Sequence, residues 1–259
     1  MTTLLELGRQ GLPLTDYDII DMHCHLGRAR HAAPDISPKS LVRVMDRIGV
    51  KACVCSHTAF PASQTRAAND VILEGMHAHP GRILGYVRPW PDTKEGVRAE
   101  IERCLDAGFT GIKLHNTIGF PYDDAAYEPA YEIAHERKLP MLFHTWGGEA
   151  EFEQIDRMAE RYPHPQMILG HAGATHEQAY IDFARDHANV TLELCLSLSP
   201  RGLVKRLVDA VGPERIVWGS DALFINMAQQ IGKVLGADVD ENAKKMILSE
   251  NAKRILSTT

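Results

Sequence analysis

The chain is 259 residues long, 44% hydrophobic and 24% charged, with a net charge of −6 at neutral pH, enough to bury a large core as one α/β domain. The acidic balance, with no dense Lys/Arg block, argues against nucleic acid, and no apolar run reaches the about eighteen residues of a membrane span. Residues 1–7 lack a basic start followed by a long apolar run, so no signal peptide is expected; the five cysteines, odd in number and without paired spacing, fit a reducing cytoplasm.

Residues 1–17 form a lead-in segment whose role the sequence does not reveal. The first strand is Ile19-Ile20-Asp21-Met22-His23-Cys24-His25-Leu26-Gly27. In an extended chain alternate side chains share a face, so His23 and His25 stand side by side and can share one cation. Alone, such a pair also fits two histidines packed in a core or lining a polar pocket.

A loop rich in Arg, His and Ala follows (28–34). Ser37-Pro38 offers a helix start, Leu41, Val44, Met45 and Ile48 recur at helical spacing, and Gly49 ends the helix before a second strand over 51–57. The alternation then repeats. A helix over 66–77 precedes a strand over 83–90, and Asp92-x-x-Glu95 resembles a capping box for a helix through Ala107. Strands follow over 110–115, 140–146, 166–173, 190–197 and 215–222. Helices over 125–137, 150–161, 176–187 and 200–211 separate them, and helical segments from about 227 and 241 close the chain. Repeated β-α units mean parallel strands, and eight of them in this length point to a closed (β/α)₈ TIM barrel, one domain over 18–259 with a helical C-terminal tail. An open doubly wound sheet is the rival, but the Rossmann glycine fingerprint is absent after the first strand.

The polar residues fall where such a barrel keeps its chemistry. His23, His25, His57, Arg88, Lys113, His115, His144, His171 and Asp221 each lie near the carboxyl end of a strand, and those ends converge on one face. Three or four histidines with one aspartate suit zinc or a similar divalent ion. Singly, His144 and His171 fit barrel-core histidines, and Asp221 fits a helix N-cap.

The motifs Ile-Asp-Met-His-Cys-His-Leu-Gly, Gly-Ile-Lys-Leu-His, Leu-Phe-His-Thr, Leu-Gly-His-Ala-Gly, Trp-Gly-Ser-Asp and the closing Asn251-Ala-Lys-Arg-Ile-Leu carry a family resemblance over about 18–256. Together they resemble the amidohydrolase superfamily, in its second branch of metal-dependent hydrolases and decarboxylases. The resemblance implies that His23, His25, His144 and Asp221 hold one divalent metal, Zn²⁺ by expectation with Mn²⁺ the alternative. It gives His171 the neighbouring acid/base or carbonyl-polarising role and Asp221 a catalytic role beside its ligation. Some superfamily members carbamylate a strand-four lysine to bridge two ions, which would put a second ion against His171. One ion is preferred, because unmodified Lys113 equally suits a substrate carboxylate. Many relatives have Pro two residues after the strand-eight Asp, where this chain has Leu223.

Arg88, Lys113, His115, Tyr122 and Trp146 are expected to wall the substrate pocket, and the two cations favour a carboxylate-bearing small molecule. Glu193 and Asp21 are candidates for orienting ligand histidines from behind. The other histidines are read as surface residues, and the cysteines as buried thiols. The leading expectation is hydrolysis of a C–O or C–N bond in a lactone, ester or amide by metal-activated water. The second is non-oxidative decarboxylation of an aromatic or dienoic acid at the same ligands. A nuclease-like barrel is disfavoured by Lys113, where those enzymes place Glu, and a non-enzymatic metal- or ligand-binding barrel is the fourth reading. A homo-oligomer is expected by base rate.

Overall fold

The computed structural model describes residues 3–27, 36–58, 65–173, 175–196 and 198–257, so the Arg/His/Ala-rich loop at 28–34 lies outside the described residues. Eight parallel strands run in the order of the chain: β1 (Ile19–Leu26), β2 (Val50–His57), β3 (Ile83–Val87), β4 (Gly111–His115), β5 (Pro140–His144), β6 (Gln166–Leu169), β7 (Val190–Glu193) and β8 (Ile216–Val217). The helices between and around them are α1 (Leu4–Arg9), α2 (Pro38–Ile48), α3 (Thr65–Ala78), α4 (Lys94–Asp106), α5 (Glu128–Arg137), α6 (Glu149–Arg161), α7 (Glu177–Asp186), α8 (Leu203–Val211), α9 (Met227–Leu235), α10 (Glu241–Lys245) and α11 (Asn251–Leu256). This is a TIM barrel, as expected. Among the described residues no helix is long and apolar enough to cross a membrane.

Local chemistry explains the boundaries. Ser37 caps α2 by accepting from the Ser40 amide, Pro38 needs no amide partner in the first turn, and Gly49 ends the helix at φ 90°. At α4 the cap is Thr93, whose hydroxyl accepts from the Gly96 amide, while Asp92 instead accepts from the Thr93 amide; the capping-box expectation was one residue off. The strands predicted to reach 173, 197 and 222 stop at 169, 193 and 217. Beyond those points the chain turns to aim side chains at the barrel mouth, and apolar patterning does not show where pairing ends.

β8 is so short that the barrel closes largely without it. The Met22 amide donates to the Trp218 carbonyl (3.0 Å), the Asp221 amide to His23 (2.7 Å) and the His25 amide to Ala222 (2.7 Å). The stretch 218–222 thus seals β1 while carrying Asp221 to the mouth.

Ile20, Met22, Val54, Tyr86, Leu142, Ile168 and Val217 fill the barrel interior, with Ala252 and Ile255 of α11 packed against them. The larger apolar cluster lies between sheet and helices and includes Ile19, Cys24 and Leu26 of β1. A register shift between Asp21 and Cys24 inserts an extra residue into β1 against β2. That bulge lets Met22 face the interior and still turns His23 and His25 inward. The lead-in is partly structured: Leu4 of α1 is buried, and its amide donates to Glu241 (3.0 Å). Leu142→Ala, which empties a fully buried interior position, should cost about 2–5 kcal/mol. A lowered urea midpoint at unchanged slope checks this.

Candidate metal centre

His23, His25 and Asp221 come together at the carboxyl end of the barrel, with one donor atom from each within 4.8 Å of the others. The acceptors behind the rings assign the tautomers. His23 Nδ1–H donates to Glu193 Oε2 (3.0 Å), leaving Nε2 with a lone pair. His25 Nδ1–H donates to the Ser56 carbonyl (3.2 Å), so its Nε2 lone pair faces Asp221 Oδ1 at 3.0 Å. Two lone pairs and a carboxylate converging in a buried space repel one another unless a cation sits between them.

The positive charge presently beside them is Lys113, whose Nζ lies 3.0 Å from His23 Nε2. Burial draws that ammonium down to about 8. Burial and Lys113 together push His23 well below its ordinary value, keeping the neutral imidazole that binds metals. For Asp221, burial alone would raise the carboxyl, but a proton on His25 Nε2, in the place a divalent cation would take, together with the other ring charges pulls it to about 2. The donor set therefore suits a divalent ion in charge, tautomer and ligand type.

Backbone strain marks the same place. His171 and Asp221 hold φ at 61° and 57°, a region costly for residues other than glycine. The His171 amide is held by Glu193 Oε2 (3.3 Å) and the Asp221 amide by the His23 carbonyl (2.7 Å).

The other expected residues spread outward from this triad. His144 lies outside it: its Nδ1 is 3.0 Å from His171 Nε2, and its ring stacks on His115 at 3.8 Å. His171 Nδ1–H donates to the Cys195 carbonyl (2.9 Å). Trp146 is 45% exposed and lies flat against His171, centroids 5.1 Å apart at 8°. The loop carrying Trp146 is pinned by Glu151, which accepts from the Trp146 and Gly147 amides (2.7 and 3.0 Å). His115 Nδ1 accepts from the Thr117 amide (3.4 Å). Arg88 is buried, brought down to about 10, and donates to the His57 carbonyl (3.2 Å).

Two expectations need correcting, and one residue was missed. Tyr122 is fully buried and donates to the His144 carbonyl, so it props that strand end and does not wall the pocket. Asp21 orients no imidazole; the bulge leaves it with Ile19, and its Oδ1 accepts from the His23 and Ser220 amides (3.1 and 2.9 Å). Glu193, in contrast, stands behind His23 as anticipated. The missed residue is Cys195, whose Sγ lies 3.1 Å from His23 Nδ1 and 3.2 Å from His171 Nδ1. Its place two residues after Glu193 is the signal that points it the same way. Glu193→Gln should weaken divalent-ion binding about 10- to 100-fold, as loss of such a supporting carboxylate commonly does; equilibrium dialysis measures it.

The model of the family described as Amidohydrolase matches residues 20–258. The chain belongs to the amidohydrolase family. This amidohydrolase is 24% identical to gamma-resorcylate decarboxylase of a Polaromonas species, over 83% of this chain and 85% of that one. Among solved structures it resembles 2,6-dihydroxybenzoate decarboxylase from Rhizobium, at 18% identity and a TM-score of 0.75, covering 93% of this chain and 99% of that one. It also resembles a dihydroxybenzoic acid decarboxylase from Polaromonas sp. JS666, solved with bound manganese and the inhibitor 2-nitroresorcinol. That likeness has 19% identity and a TM-score of 0.77, with 93% of this chain and 97% of that one covered. These relatives overturn the expectation that metal-activated water hydrolyses a lactone, ester or amide. Both chemistries draw on the same ligand types, so the motifs could not separate them.

Proposed function

We propose that this amidohydrolase is a non-oxidative decarboxylase of a hydroxylated benzoate. The observation that carries the reading is the 24% identity to gamma-resorcylate decarboxylase along most of both chains, at a site built to hold a cation beside a buried lysine. His23, His25 and Asp221 would hold the ion, with His144 the fourth donor once its ring leaves His171. Manganese is favoured over the zinc first expected, given the manganese in the related structure. When bound, the ion supplies positive charge that draws in and orients the substrate's carboxylate and neighbouring hydroxyl.

The chain's own residues do the rest. Lys113 and Arg88 add positive charge that favours an anionic substrate, and the exposed face of Trp146 offers a flat surface for an aromatic ring. Breaking the ring–carboxylate bond releases CO₂ and leaves the electron pair on the ring carbon, which must then take a proton. His171, whose Nδ1–H is held by the Cys195 carbonyl, takes a proton from solvent on Nε2 and passes it to that carbon, returning to the neutral ring. Burial holds its imidazolium below the ordinary value, against the opposing charges of Glu193 and Asp221, which makes it a ready donor once protonated. Asp221, drawn to about 2, is a poor proton reservoir.

The test is a panel of mono- and dihydroxybenzoates, lactones and amides offered to manganese-loaded protein. CO₂ and the matching phenol from a hydroxybenzoate are expected. Turnover of lactones or amides alone would overturn the reading.

A further inference from the structure

We propose a second cation site, for a thiophilic divalent ion, on the far side of the histidines from the first. Its donors are Cys195 Sγ, His23 Nδ1 and His171 Nδ1; all three side chains are buried, and each brings one donor atom within 4.8 Å of the others. The sulfur is 3.1 and 3.2 Å from the two nitrogens, and Glu193 Oε2 is 2.9 Å from the sulfur and 3.0 Å from His23 Nδ1. A thiolate, two imidazoles and a carboxylate are a donor set that zinc and cadmium take and manganese does not prefer. Ions of this kind sit about 2.0–2.3 Å from such donors, so each side chain need withdraw only slightly to admit one.

Without an ion these atoms satisfy one another. The thiol donates to Glu193 Oε2, His23 Nδ1–H donates to the same oxygen, and His171 Nδ1–H donates to the Cys195 carbonyl. Binding exchanges that arrangement at the cost of one proton. The thiol proton leaves by way of Glu193 to solvent as the sulfur–metal bond forms. Each imidazole stays neutral by carrying its hydrogen on Nε2 in place of Nδ1.

This exchange has a consequence for the first site. His23 serves the two sites through opposite ring nitrogens, so a soft ion on Nδ1 removes the Nε2 lone pair that the triad needs. The second site therefore works as an antagonist of the first: thiophilic ions loosen manganese without entering its place. It depends on the ligand arrangement alone and stands whichever reaction the centre performs.

Cadmium is the probe, added to manganese-loaded protein. The expected results are a cadmium–thiolate charge-transfer band saturating at about one ion per chain, release of about one proton, and manganese affinity lowered about tenfold or more. Cys195→Ser should lose the band and keep its manganese affinity in the presence of cadmium. Cys53→Ala, which breaks the separate buried thiol pair Cys53–Cys55 (3.6 Å apart), should retain the band. The proposal is overturned by a band that survives Cys195→Ser, by no band in the unaltered protein, or by cadmium displacing manganese equally from Cys195→Ser. Circular dichroism of each variant shows that it is folded.

Discussion

Asp221→Ala is expected to yield a folded protein that retains no divalent ion and decarboxylates at least about a hundred- to a thousandfold more slowly. Asp221 is the one anionic donor of the triad, and its Oδ1 lies 3.0 Å from His25 Nε2. Removing it leaves two neutral imidazoles facing the Lys113 ammonium, an environment that repels a cation. Its backbone bonds to β1 use main-chain atoms, so alanine keeps them, although the φ of 57° adds some strain. Asp221→Asn preserves shape without charge and should fall between the two. Elemental analysis and a CO₂-release assay on the same preparation measure both effects, and a variant that kept its ion at full occupancy would separate Asp221 from the centre.

His171→Asn should behave differently: most of the metal stays, and turnover falls about 10²- to 10⁴-fold, the range for loss of a positioned proton donor. His171 is not one of the three donors: its ring lies against His23 with centroids 5.2 Å apart, its Nδ1 bonds the Cys195 carbonyl and its Nε2 faces His144. Substrate affinity should change little beside the change in turnover. Loss of metal in step with activity would instead make His171 a ligand.

Much of the fold was legible because parallel barrels write their strands as short apolar runs at regular spacing. Strand ends are another matter. β6, β7 and β8 each stop four or more residues before their apolar patterning does, since the final residues trade sheet pairing for strained turns that aim His171 and Asp221. The β1 bulge is invisible in a period-two pattern, so Asp21 was placed with the histidines when it braces backbone amides. Strand-end position gathered His23, His25, His144, His171 and Asp221 at one mouth, and the family resemblance selected the ligands among them. Which of two adjacent imidazoles turns to the cation depends on what the other nitrogen bonds, and Cys195 shows itself only through its spacing from Glu193. Hydrolysis and decarboxylation share their ligands, so no motif separates them.

The most direct measurement is a manganese titration of metal-stripped protein, with CO₂ release from a dihydroxybenzoate followed at each addition. Activity should rise from near zero and break at about one ion per chain. Full activity in the stripped protein, or none at any manganese concentration while the ion binds, would contradict a cation-dependent decarboxylating centre at His23, His25 and Asp221.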